Sequence, residues 1–176
     1  MKKDFVLTKE DYIDFNLYFY NNSPQLIRKR NIQRFIFPVV YLLIPVFLNN
    51  FNKVPYKQTL PIFIIAAIAW LIIYPKLSIY GVEKNVKRIV EKSEKGENSL
   101  TGDYTIETKE DGLLISKENG NVDIKWNQII DLKEDDKRIY IFMSPMVAYI
   151  VKKEAFSPDE EEVFKQLIKS NSDNIK

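Results

Sequence analysis

Cysteine and histidine are both absent from the 176 residues. Without cysteine there is no disulfide framework and no thiol nucleophile. Without histidine the commonest general base is gone, and zinc sites of the usual Cys/His kind go with the pair. A dominant charge is missing too, because 26 basic residues stand against 24 acidic ones for a net +2. No global field therefore points to nucleic acid, and any charge argument has to be local. No cleaved export signal is expected, since acidic and polar residues follow the positive start MKKDFVLTKEDY where an apolar run would be required. An enzyme is not expected, and no cofactor is implied. The length suits one folded unit with something attached to it.

What is present in quantity is hydrophobic sequence. FIFPVVYLLIPVFL, Phe35 to Leu48, and the run from Leu60 to Tyr74 contain no charged residue. A helix that is apolar all round must be enclosed on every face or lie in lipid. A full span takes roughly 20 predominantly apolar residues, so both runs need their flanks. Arg34 can snorkel on one side of the first run, while Asn49, Asn50 and Phe51 extend it on the other. Tyr56, Trp70 and Tyr74 lie near the ends of the second, where amphipathic rings favour the headgroup level. The alternative, two buried helices of a soluble protein, would need apolar residues that the C-terminal half requires for its own core. The pair reads as a membrane hairpin, either crossing fully or dipping into one leaflet. Pro61 fits a first helical turn and Pro75 a helix end, whereas Pro38 and Pro45 fit a static kink in the first run.

Basic residues orient the hairpin. Arg28, Lys29, Arg30 and Arg34 precede the first run and Lys76, Lys84, Lys87 and Arg88 follow the second, while the connection from Asn49 to Gln58 holds only Lys53 and Lys57. This bias places both termini in the cytoplasm and the connection outside. Arg28, Lys29, Arg30, Arg34 and Lys76 are the candidates for contact with the membrane surface. The basic segment LIRKRNIQR either holds acidic headgroups or only sets topology.

Before the hairpin, a short extended piece from Phe5 to Leu7 leads to a helix signal, with Thr8 as N-cap and Asp11 three residues on. Tyr12, Ile13, Phe15, Leu17, Phe19 and Tyr20 share a wide face opposite Glu10, Asp11, Asp14 and Asn21. That acidic polar face disfavours adsorption to anionic lipid, so packing on the cytoplasmic domain is expected rather than the interface. After the hairpin, Val82, Val86, Ile89 and Val90 mark an amphipathic connecting helix that stops in the polar stretch Glu94 to Ser99.

From Gly102 the period becomes strand-like. DYTIETK, LLISK, VDIKW, QIIDLK, RIYIFM and MVAYIVK are separated by turn signals, with Asn119-Gly120 marking a type I′ hairpin. Ser157 as N-cap, Pro158 and a run of acids then open a last helix, with Val163, Phe164, Leu167 and Ile168 as its apolar stripe. The expected fold is a membrane α-helical hairpin plus a cytoplasmic α+β domain. That domain is an antiparallel six-stranded meander closed by a C-terminal helix, as in pleckstrin-homology-like folds. The expected divisions are 1–34, 35–76, 77–99 and 100–176.

LTKEDYIDFNLYFYNNS, the two apolar runs, WNQI at Trp126 to Ile129 and AYIVKKEAF at Ala148 to Phe156 together resemble the YcxB-like family of bacterial membrane proteins. The resemblance spans nearly the whole chain; it departs at Val151, where members often carry proline. It implies a two-span membrane protein with a cytoplasmic domain and no established activity, so no active-site residue carries over.

Other residues have structural readings. Trp126 and Ile129 are expected in the core, and Ser144 is a turn residue without a base to activate it. Glu134, Asp135 and Asp136 form a solvated turn without calcium-loop spacing. The first strand-strand loop, TKEDG, carries too much negative charge for an anionic headgroup, and Lys152 and Lys153 are left for weak contact with the membrane surface. The leading functional expectation is a membrane-tethered interaction or regulatory module. Its partners are the lipid bilayer and a protein or its own copy, with no nucleic acid. The alternative is an accessory subunit of a transporter or channel, although no intramembrane charge is available to line a pathway.

Overall fold

In the computed structural model, residues 1–94, 99–118, 120–172 and 175 are described, apart from the side chain of Asn52. The expected boundary stretch therefore lies largely outside the described residues, as does Asn119 of the hairpin signal. Two compact units form, one of Met1–Phe15 with Val86–Lys176 and the other of Asn16–Asn85.

The first unit is the β unit. Strand β1 (Lys2–Leu7) pairs antiparallel with β2 (Gly102–Thr108), which pairs with β3 (Gly112–Lys117) and then β4 (Gly120–Lys125). A second sheet holds β5 (Asp131–Glu134), β6 (Arg138–Ser144) and β7 (Val147–Lys152). The expected single six-stranded meander is thus corrected to seven strands, among the described residues, in sheets of four and three. The additional strand is β1, in which Phe5 and Leu7 point inward while Val6 is half exposed. The break between sheets falls at a 3-10 turn, Trp126–Gln128, where the Trp126 indole N–H donates to the Glu110 carbonyl at 2.9 Å. Trp126 and Ile129 are core residues, as expected.

Strand β6 is buried from Arg138 to Phe142, and its apolar run lacks the alternation of a half-solvated strand. Phe15, in helix α1 (Lys9–Asn22), covers one side of it, 5.1 Å from the Tyr140 ring and 6.3 Å from Phe142. The last helix, α4 (Pro158–Asn171), has the expected cap, with a reciprocal bond between Ser157 and Glu160. Phe164 and Ile168 are buried, but Val163 is exposed. One helical step of about 100° carries it off the narrow face that Phe164 and Ile168 occupy.

The second unit contains α2 (Pro24–Asn52) and the larger part of α3 (Tyr56–Ser93). Each apolar run sits inside a helix longer than the run itself. Pro61 lies beyond the first turn of α3 and Pro75 does not end it, against expectation; the two N–H bonds lost in a helix of 38 residues are outweighed by the ladder on either side of each. The Ser78 hydroxyl donates to the Pro75 carbonyl at 2.8 Å. No break separates the second apolar run from the expected connecting helix. There Val86 and Val90 are buried while Ile89 faces out.

Gly112 shows how tightly β3 meets β4. A Cβ at this position would lie 1.9 Å from the Ile124 carbonyl oxygen, which is backbone and cannot swing aside. Gly112→Ala should therefore lower the unfolding free energy by about 3 kcal/mol, the upper end of overpacking costs. Denaturant titration of the full chain measures it.

Candidate functional site

A cleft of about 500 Å³ opens in the β unit, walled by Leu7, Tyr12, Tyr104, Ile115, Lys117, Val122, Val147, Tyr149 and Ile150 among others. The pairing register explains the composition of one wall. Tyr104 lies opposite Lys117 and Ile115 opposite Val122, and residues directly opposite in an antiparallel pair share a face. Ile115 and Lys117, two residues apart, share it too. One patch of sheet thus presents a phenol, an amine and two aliphatic side chains together.

Three phenols meet the cleft. The Tyr104 ring stacks on Phe5 at 6.0 Å, its hydroxyl donates to the Leu100 carbonyl at 3.3 Å, and it is also hydrogen-bonded to Tyr12. Burial, with Tyr104 and Tyr149 nearby, pushes the Tyr12 hydroxyl well above the ordinary phenol range, and burial likewise raises Tyr149. Both hydroxyls are therefore neutral donors at physiological pH. Lys117 is the one charged side chain among the lining residues, and among the described residues it forms no ion pair.

The α1 side of the cleft is fixed by a buried ionic cluster. Arg138 is 5% exposed and Asp11 3% exposed. The Arg138 guanidinium donates to Asp11 at 2.7 Å, Asp14 at 2.6 Å and Asp135 at 3.1 Å. Asp11 also accepts from the backbone N–H and the hydroxyl of Thr8, both at 2.9 Å, so the cap expected from sequence is present. Lys152 approaches Asp11 at 3.8 Å, and the Tyr140 hydroxyl donates to Asp135. Burial alone would raise the Asp11 carboxyl, but the bonds from Thr8 and Arg138 outweigh it and hold it below its ordinary value.

This cluster corrects three expectations. Asp11 is not on a solvated helix face, because it faces a buried arginine. The turn at 134–136 is not simply solvated either: Asp135 is half-buried and accepts from Lys137, Arg138 and Tyr140. Glu134 binds Lys153 at 2.7 Å and Lys165 at 3.2 Å. Finally, Lys152 and Lys153 are engaged by Glu154, Glu134 and Glu161 rather than left to a surface. In TKEDG, Lys109 pairs with Asp123 at 2.8 Å. No group of acidic side chains able to hold a metal ion occurs among the described residues.

The membrane-surface candidates lie in the other unit. Arg28 and Lys29 are exposed on α2. Arg30 bonds Asn21 at 3.1 Å and sits 4.9 Å from the Tyr20 ring, and Arg34 lies 5.7 Å from the Phe35 ring. Lys76 is exposed on α3. The Tyr74 hydroxyl donates to Gln33 at 2.7 Å, which brings the stretch before Lys76 beside the stretch before Arg34. The five basic residues thus gather toward one end of the helix pair. Sequence reasoning missed the cleft and the Arg138 cluster. The available signal was the inward parity of Tyr104 and Lys117 on paired strands, readable only once the register is known.

Two helices long and apolar enough to cross a membrane, together with a two-sheet β unit and a C-terminal helix, define the class of this chain. Residues 109–168, from the β2–β3 turn into α4, match the family model for YcxB-like protein. No curated protein and no solved structure matches the chain.

Removing the Arg138 side chain leaves Asp11 buried without its charge partner. Arg138→Ala should cost about 3–5 kcal/mol of unfolding free energy. The acid limb follows from the sign of the Asp11 shift. A carboxyl held below its ordinary 3.8 contributes stability above that pH and loses it as pH falls toward the lower folded value. The thermal midpoint should be level from neutral pH down to the ordinary carboxylate range and fall below it. Asp11→Asn should start lower and fall less, as calorimetry across that range would record.

Proposed function

We propose that this protein is a membrane-tethered interaction or regulatory module of the bacterial cell membrane. In this reading α2 and α3 cross the bilayer as a hairpin, both termini are cytoplasmic, and the β unit is a pleckstrin-homology-like domain displayed on the cytoplasmic face to a protein partner or a second copy. One observation carries it: only 11% and 6% of the most apolar windows of α2 and α3 are buried. Core helices of a soluble protein would be enclosed, whereas Leu43, Phe47, Ile62, Ile65 and Ile72 all stand open.

Other features support the reading. Phe37 and Tyr41 of α2 pack against Trp70 of α3, at 5.0 and 6.2 Å, so ring contacts join the two helices while aromatic and aliphatic side chains alike stand open on their outer sides. Pro38, Pro45 and Ala67 are buried, flat or small residues suited to close helix packing. Arg28, Lys29, Arg30, Arg34 and Lys76 gather at one end, the arrangement that holds that end inside. Two sheets of four and three strands with α4 support the pleckstrin-homology-like assignment.

The cysteine-free background makes the test clean. With Lys57→Cys and Asp136→Cys made singly, an impermeant maleimide should label position 57 in intact cells and position 136 only after lysis. Labelling of position 136 in intact cells, or of neither until lysis, would contradict the proposed topology.

A further inference from the structure

We infer that the cleft of the β unit is a binding site for a single-chain anionic amphiphile of the fatty-acid type, its carboxylate at Lys117 and its alkyl chain along Leu7, Ile115, Val122 and Ile150. The inference goes beyond the tethering role and does not rest on it, because every lining residue belongs to the β unit.

The chemistry of the walls selects the ligand. A cleft of about 500 Å³ is of the size that small-molecule sites occupy. Most of its lining is aliphatic, which calls for an apolar body. Its polar side chains are three phenols, the Asn121 amide and one ammonium, with no carboxylate among the lining residues. Lys117 is the one lysine that lines the cleft, and among the described residues it pairs with no carboxylate. An ammonium facing an apolar cleft is complemented by an anion, and a carboxylate can also accept from a neighbouring phenol. One positive charge suits one negative charge. A polyphosphorylated headgroup would need several basic groups here, and a cationic ligand would be repelled. Val122 and Val147 are half exposed at the cleft, so a chain longer than the cavity has an apolar exit.

The test uses the full chain in nanodiscs of phosphatidylcholine, a zwitterionic lipid, with laurate carrying a photoreactive diazirine on its chain. After irradiation, peptide mapping should find saturable labelling in segments of the β unit that line the cleft. Unlabelled laurate should displace it, and dodecanol, which lacks the charge, should do so about tenfold less well. Lys117→Glu should reduce labelling by about tenfold while Lys117→Arg retains it. Ala148→Trp, which fills the cleft, should abolish it. Each variant is compared at a matched thermal transition, and if Ala148→Trp does not fold, the Lys117 pair decides. Labelling confined to α2 and α3, equal displacement by dodecanol, or indifference to Lys117→Glu would overturn the assignment. So would displacement by phosphatidylglycerol but not by laurate, which would assign the cleft to a bilayer phospholipid.

Discussion

The β unit depends on a charge that cannot be left alone. Arg138 lies at the start of the most buried strand, and a guanidinium taken out of water costs several kcal/mol unless it is paired and fully hydrogen-bonded. Its principal partner, Asp11, comes from a segment 127 residues earlier. The same carboxylate closes the first turn of α1 through Thr8. One side chain therefore joins a local event, capping a helix, to a long-range one, satisfying a buried cation. With α1 fixed at this point, Phe15 reaches the face of β6 and the neighbouring Tyr12 reaches the cleft.

This arrangement makes the N-terminal residues part of the β unit. Strand β1 pairs along its length with β2, from Lys2 opposite Glu107 to Leu7 opposite Gly102. Lys3 adds an ion pair to Glu160 of α4 at 2.7 Å. Everything from residue 8 to residue 101, including both apolar helices, lies between two hydrogen-bonded strands. Closing so long a connection costs entropy, but the cost grows only logarithmically with length. The kinetic consequence is larger. The four-stranded sheet cannot be completed until both apolar helices have been synthesised, so its assembly is a late, non-local step.

Local signals were legible in the sequence and long-range ones were not. The Thr8/Asp11 cap, the Ser157 N-cap, the apolar helices, the strands after Gly102 and the core positions of Trp126 and Ile129 all follow from spacing over a few residues. The division into two sheets did not, because a meander pattern is the same whether consecutive strands stay in one sheet or turn a corner at Trp126–Gln128. Strand β1 was visible only as a short extended piece, since its partner is about a hundred residues away. Pro75 misled for a related reason: proline disfavours a helix locally, and the surrounding turns of α3 override it. The basic residues before and after the apolar runs are read from charge alone, and their contact with a membrane surface belongs to the proposed topology. The cleft was not legible, because its lining joins residues far apart in the chain and depends on a register that puts Lys117 opposite Tyr104.

The proposed membrane tethering rests on two helices that are long and apolar enough to cross a membrane and whose apolar sides stand open. The most direct test of that claim is extraction of isolated membranes with alkaline carbonate, followed by detection of the full chain. The account predicts that the chain stays with the sedimented membranes and is released only by detergent. Recovery of the intact chain in the carbonate supernatant would contradict it.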